Sequence, residues 1–149
     1  MIRLRFVYHP NFFSWLVRFA QYGFWATHVE AVLPDGRRLS SWFLAGGVKI
    51  RPADYDAGKF TRELFLDIEV TPEQEARFYD RLRSQLDKPY DWRAILSFYS
   101  RRSGRDWRAD DSWFCSEVIE DAAIDCGIAP ERIASETSRF TPRDCWVRA

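Results

Sequence analysis

The sequence predicts one α+β domain, a small antiparallel sheet accompanied by short helices, and three observations carry that expectation. Apolar and polar side chains alternate over short runs at 2–8, 27–33, 37–43, 47–51 and 62–70, the period of half-buried strands. Two of these runs flank Pro34-Asp35-Gly36-Arg37, a hairpin turn signal. Thr71-Pro72-Glu73-Gln74 then supplies an N-cap, a proline at the first helical position and acidic first-turn chemistry, opening a helix that should run to about Leu86. At 149 residues the chain is expected to be a single domain, 1–149, with a core that needs no disulfide.

The elements follow in order. After the first strand, residues 11–20 form a short amphipathic helix bearing Phe12, Phe13, Trp15, Leu16, Val17 and Phe19. These bulky side chains are expected in the core, with an apolar rim beside an active site as the other reading. Gly46-Gly47, just before the fourth strand, signals a turn or a close backbone approach. Beyond the helix opened at Thr71, residues 90–99 are expected to be helical, followed by a polar loop to Asp111. Asp111 or Ser112 should cap the next helix, which stops near Gly127, and Thr141-Pro142 should cap a last short turn.

Two of these elements carry chemistry. In Thr27-His28-Val29-Glu30-Ala31, residues two apart point the same way, so His28 and Glu30 project together from the face opposite Val29 and Ala31. A carboxylate so placed can fix the imidazole tautomer and stabilise the imidazolium. Cys115 falls in the first turn of its helix, where unpaired N–H groups and the helix dipole favour thiolate and can also hold an oxyanion. Cys126 and Cys145 read as core filler. Taken singly, His28 and Glu30 would be ordinary strand residues; taken with Cys115 they form a nucleophile, a base and an orienting carboxylate.

Composition narrows the field. The 22 basic and 22 acidic residues cancel, so no nucleic acid or strongly charged partner is called for. Three cysteines without Cys-x-x-Cys spacing give neither a disulfide framework nor a structural zinc site, and no cofactor or metal is expected. Arg101-Arg102-Ser103-Gly104-Arg105 reads as a solvated basic loop. The apolar start is broken by Pro10, Asn11 and Arg18 and is not expected to act as a signal peptide; no stretch approaches the length of a membrane span. The expectation is a protein that is cytoplasmic as synthesised, with later delivery to the cell envelope or a virion left open.

Thr27-His28-Val29-Glu30, Asp35-Gly36, Gly46-Gly47-Val48 with Arg51-Pro52, Lys88-Pro89-Tyr90-Asp91-Trp92 and Trp113-Phe114-Cys115-Ser116-Glu117 occur in the order of a known family. The chain resembles the circularly permuted branch of the NlpC-type papain-like cysteine hydrolases, a bacterial and phage branch related to lecithin:retinol acyltransferase, in which the histidine precedes the cysteine. The resemblance implies a papain-like fold with the Cys115 helix packed on the sheet, and a Cys115, His28 and Glu30 site. Many relatives take the third polar residue from the next strand, where Ser41 is the substitute here; Tyr90 is a candidate to assist the oxyanion. The implied substrate is a peptide or amidated small molecule, including one derived from peptidoglycan. Acyl transfer or thioester cleavage on a lipid, a non-catalytic binding or virion module, and a metallohydrolase ligated by His28, Glu30 and Cys115 are the rivals. On this reading Glu30→Gln is expected to spare the fold and slow the chemistry.

Overall fold

A computed structural model describes residues 1–90, 114–129 and 142–148. Strands β1 (Ile2–Tyr8), β2 (His28–Val32), β3 (Arg38–Trp42), β4 (Gly47–Arg51) and β5 (Arg62–Ile68) form one antiparallel sheet in the order β4-β3-β2-β1-β5. Helix α1 (Phe12–Ala20) follows β1, and α2 (Pro72–Ser84) follows β5. A 3-10 turn (Phe43–Ala45) separates β3 from β4, and helices α3 (Cys115–Asp125) and α4 (Pro142–Arg148) complete the described elements. The expected helix at 90–99, apart from Tyr90, and the basic loop lie outside the described residues, as do Asp111 and Ser112.

The sheet register explains how the core and the site separate. Leu4 pairs with Ala31 and Phe6 with Val29, so these apolar side chains share one face. Helix α3 packs across β2 and β3 and beside α2, burying them with Leu39, Phe78, Leu82, Val118 and Ile119. On the other face Arg5 pairs with Glu30 and Val7 with His28. That face is not solvated, for Arg5 and Glu30 are both buried.

Local chemistry sets the element ends. Thr71 accepts from the Gln74 N–H while Gln74 accepts from the Thr71 N–H, the reciprocal cap that the sequence signals for α2. Gly46 has φ +75°, closing the turn after β3. Gly47 is a close approach: a Cβ there would sit 2.0 Å from the Lys88 carbonyl oxygen. The chain at 87–89 lies along β4 at this point, with the Val48 N–H donating to Lys88 and the Asp87 N–H to Val48. Tyr90 is carried beside the sheet as a result.

Two expectations need correction. The cap of α3 is Phe114, not Asp111 or Ser112: Glu117 in the first turn reaches back to accept from the Phe114 N–H at 3.2 Å, and the Phe114 ring is buried in the core. In α1, Phe12, Trp15 and Phe19 are 69%, 60% and 74% exposed, contrary to the expected burial. Nine residues cannot turn so many large rings to one side. Ser14 and Val17 occupy the buried face, and the three rings stack on one another on the outer one.

Candidate active site

His28 opens β2 and Cys115 opens α3, and both line one cavity of about 280 Å³. Thr27, Ser41, Trp42 and Tyr90 share its wall, so both substitutes named from the sequence, Ser41 and Tyr90, reach the same space. Cys115 is only 2% exposed and forms the inner end of a helix whose first-turn N–H groups have no carbonyl four residues back within the helix. Cys126 and Cys145 are buried in the core, where the Cys126 thiol donates to the Ala123 carbonyl and burial pushes its pKa up.

Glu30 is the electrostatic centre. It is fully buried, so it is no solvated strand residue. Its Oε1 accepts from Arg5 Nη1 at 2.7 Å and its Oε2 from the Tyr55 hydroxyl at 2.9 Å. His28 Nε2 stands 3.6 Å from Oε2, an ion-pair separation slightly beyond a formed hydrogen bond. Arg51 and Arg38 approach at 3.8 and 3.9 Å. Burial opposes the charge of Glu30, but His28 and Arg5 outweigh it and hold the pKa down at about 2. Burial likewise opposes the imidazolium of His28, yet Cys115, by charge and hydrogen bonding, and then Glu30 push its pKa up to about 9. Tyr55 is pushed above its ordinary value by burial and by Glu30, so it remains a donor.

Aromatic rings fill the gaps between charges. The Arg51 guanidinium lies over Trp42 and Tyr55 at 4.7 and 4.5 Å, which compensates for nitrogens without hydrogen-bond partners among the described residues. Trp42 in turn contacts the rings of His28 and His9 at 5.2 and 5.0 Å.

Sequence reasoning missed His9, Asp56, Arg5 and Tyr55. His9 Nε2 lies 3.1 Å from Asp56 Oδ2, and Arg5 Nη1 bridges Asp56 and Glu30. One local sign existed: Arg5 alternates with Leu4 and Phe6 on β1, so its side chain had to share the face of a neighbouring polar strand residue.

No protein-family model matches the chain, and no curated protein matches its sequence. In structure it is similar to the metalloprotein yiiX from Escherichia coli O157:H7 (DUF1105), with a TM-score of 0.62 and 17% identity over 83% of this chain. The chain spans 64% of that protein's length. At this identity the likeness shows the fold alone. Among the described residues no helix is long and apolar enough to cross a membrane, and no group of three or more His, Cys, Asp or Glu side chains is arranged to hold a metal ion.

Proposed function

We propose that the protein is a cysteine hydrolase of amide bonds with a permuted papain-like arrangement of its site. The observation that supports it is the convergence of Cys115, at the first position of α3, and His28, with its raised basicity, on one cavity. With Nε2 turned to Glu30, the imidazole has Nδ1 to offer the sulfur. The thiolate attacks the carbonyl carbon, the Cys115 N–H stabilises the oxyanion, and imidazolium protonates the leaving nitrogen as the C–N bond breaks. Water then releases the acyl group. Glu30 acts as a positioning residue for His28, and Ser41 and Tyr90 are left to line the substrate space. A cell-wall peptide or a related amidated molecule is the substrate class suggested by the family resemblance.

A second reading, acyl transfer or thioester cleavage on a lipid, is favoured by one observation: Phe12, Trp15 and Phe19 are exposed on the helix whose Ser14 and Val17 line the cavity. A metal centre on His28, Glu30 and Cys115 fits poorly, because both Glu30 oxygens are committed to Arg5 and Tyr55. That the similar yiiX is described as a metalloprotein makes metal analysis of the purified protein a useful control. The deciding experiment is alkylation by iodoacetamide near neutral pH, with modified residues mapped by mass spectrometry. Cys115 is expected to react at least tenfold faster than Cys126 or Cys145, about the gain expected of a thiolate-promoting site. Equal rates for all three in the folded protein would leave a non-catalytic binding module as the better account.

A further inference from the structure

The chain has two histidines, and the second also lines the cavity. His9 is 6% exposed and follows β1, with its ring 6.2 Å from that of His28. Its Nε2 is 3.1 Å from Asp56 Oδ2, and Asp56, also buried, is held by Arg5 at 3.0 and 3.1 Å. An ionised carboxylate can only accept, so Nε2 is the donor of that bond. Burial and the neighbouring charge of His28 lower the His9 pKa, which keeps the ring neutral and makes Nδ1 an acceptor. Nδ1 has no hydrogen-bond partner among the described residues.

Donors line the same cavity. The hydroxyls of Ser14 and Thr27, both buried and both lining the cavity, are 3.1 Å apart and bonded to each other. Two hydroxyls sharing one bond leave one O–H proton unspent whichever of them donates. Asn11 Oδ1 accepts from the Ser14 N–H, so its amide N–H groups remain available at the cavity edge. An acceptor and donors on the wall of one cavity complement the N–H and carbonyl of an amide.

We infer that His9, Ser14 and Thr27 form a substrate subsite that reads an unsubstituted amide, with His9 Nδ1 accepting its N–H and the hydroxyl pair donating to its carbonyl oxygen. The inference rests on the Cys115 hydrolase reading and sharpens it. An ester or thioester offers the carbonyl but no N–H, which would leave His9 unpaired in a desolvated wall.

Two reagents separate these cases: iodoacetamide, which carries N–H, and methyl iodoacetate, an ester larger by one methyl group, which does not. Each second-order rate on Cys115 is divided by the rate of the same reagent on glutathione. The unaltered protein is expected to favour iodoacetamide by about 2- to 12-fold, the worth of one neutral hydrogen bond. His9→Leu should bring the ratio to about one, and His9→Gln should restore much of it, since its amide can donate to Asp56 and keep an acceptor oxygen. A ratio of one in the unaltered protein, or a preference that survives His9→Leu, overturns the subsite while leaving the nucleophile intact. Slow labelling of Cys115 by both reagents overturns the hydrolase reading and the subsite with it. Should His9→Leu fail to fold, the double variant Ser14→Ala/Thr27→Val decides: both reagents should slow by a similar factor, and unchanged rates refute the inference.

Discussion

Replacing Glu30 by Gln keeps the side chain's size and removes one negative charge from a buried cluster. The acceptor of Arg5 and Tyr55 becomes a neutral amide facing Arg5, Arg38, Arg51 and His28. Burial opposes ionisation, but His28 and Arg5 hold Glu30 at about 2 against 4.5 for an unperturbed glutamate. That difference, at 1.36 kcal/mol per pH unit, corresponds to about 3 kcal/mol of stability at neutral pH. Removing one partner of a buried ion pair costs roughly 3–5 kcal/mol, which agrees. Domains of this kind carry roughly 5–15 kcal/mol in total, so Glu30→Gln should fold but lose a large share of its margin. The fold is therefore expected to persist in Glu30→Gln, as on the sequence reading, with a smaller margin.

The assay is urea unfolding at pH 7, comparing midpoints at constant slope. A carboxylate with a depressed folded pKa contributes fully above its unfolded value and loses that contribution as pH falls through the folded one. The gap between the unaltered protein and Glu30→Gln should therefore be complete above about pH 4.5 and close as pH falls toward about 2. A loss below about 1 kcal/mol at pH 7, or a gap that ignores pH across that window, would refute the account.

His28, held at about 9, stays protonated until pH rises through that value, so hydrolysis requiring the imidazolium should show its alkaline limb near 9; a limb near 6.5 would mean Cys115 and Glu30 do not act on it. The same group contributes stability fully below about 6.5 and loses it as pH rises through about 9, which thermal unfolding across that range would display. Gly47→Ala should push the chain at 88–90 off β4, because its Cβ would meet the Lys88 oxygen at 2.0 Å and its φ is +142°. A loss of more than about 2 kcal/mol is expected in urea unfolding, and an unchanged stability would contradict the close approach. Trp15→Ser, on the exposed face of α1, should change stability by less than about 0.5 kcal/mol; a loss of 2 kcal/mol would show that another part of the chain covers the face.

How much of this was legible in the sequence depends on the range of the interaction that decides each feature. Strand alternation, the Thr71 cap and the Gly46-Gly47 signal are local, and the five strands and α2 fall where those patterns put them. The α3 cap was misread because its acceptor comes from inside the helix, at Glu117, rather than from a preceding Ser or Asp. The exposed rings of α1 were misread because hydrophobic bulk says how much surface a helix offers but not how much the sheet can cover.

The site divides in the same way. His28 and Glu30 are two residues apart, so their shared face follows from strand geometry, and Cys115 is marked by its helix start. The groups that set their charge states have no such proximity: Arg5 comes from β1, Arg51 from β4, and Tyr55 and Asp56 from the β4 to β5 connection. Only the antiparallel register that sets Arg5 opposite Glu30 and Val7 opposite His28 brings them together. That register also explains why one carboxylate must serve two ends. Glu30 neutralises an arginine buried by the fold and, with its other oxygen, faces the imidazole of the site, so any substitution that tests the second role disturbs the first. Separating them requires a readout that stability does not move, and the alkaline limb set by His28 supplies it: a Glu30→Gln protein that remains folded should show that limb shifted to lower pH, because one of the influences that raise His28 has been removed.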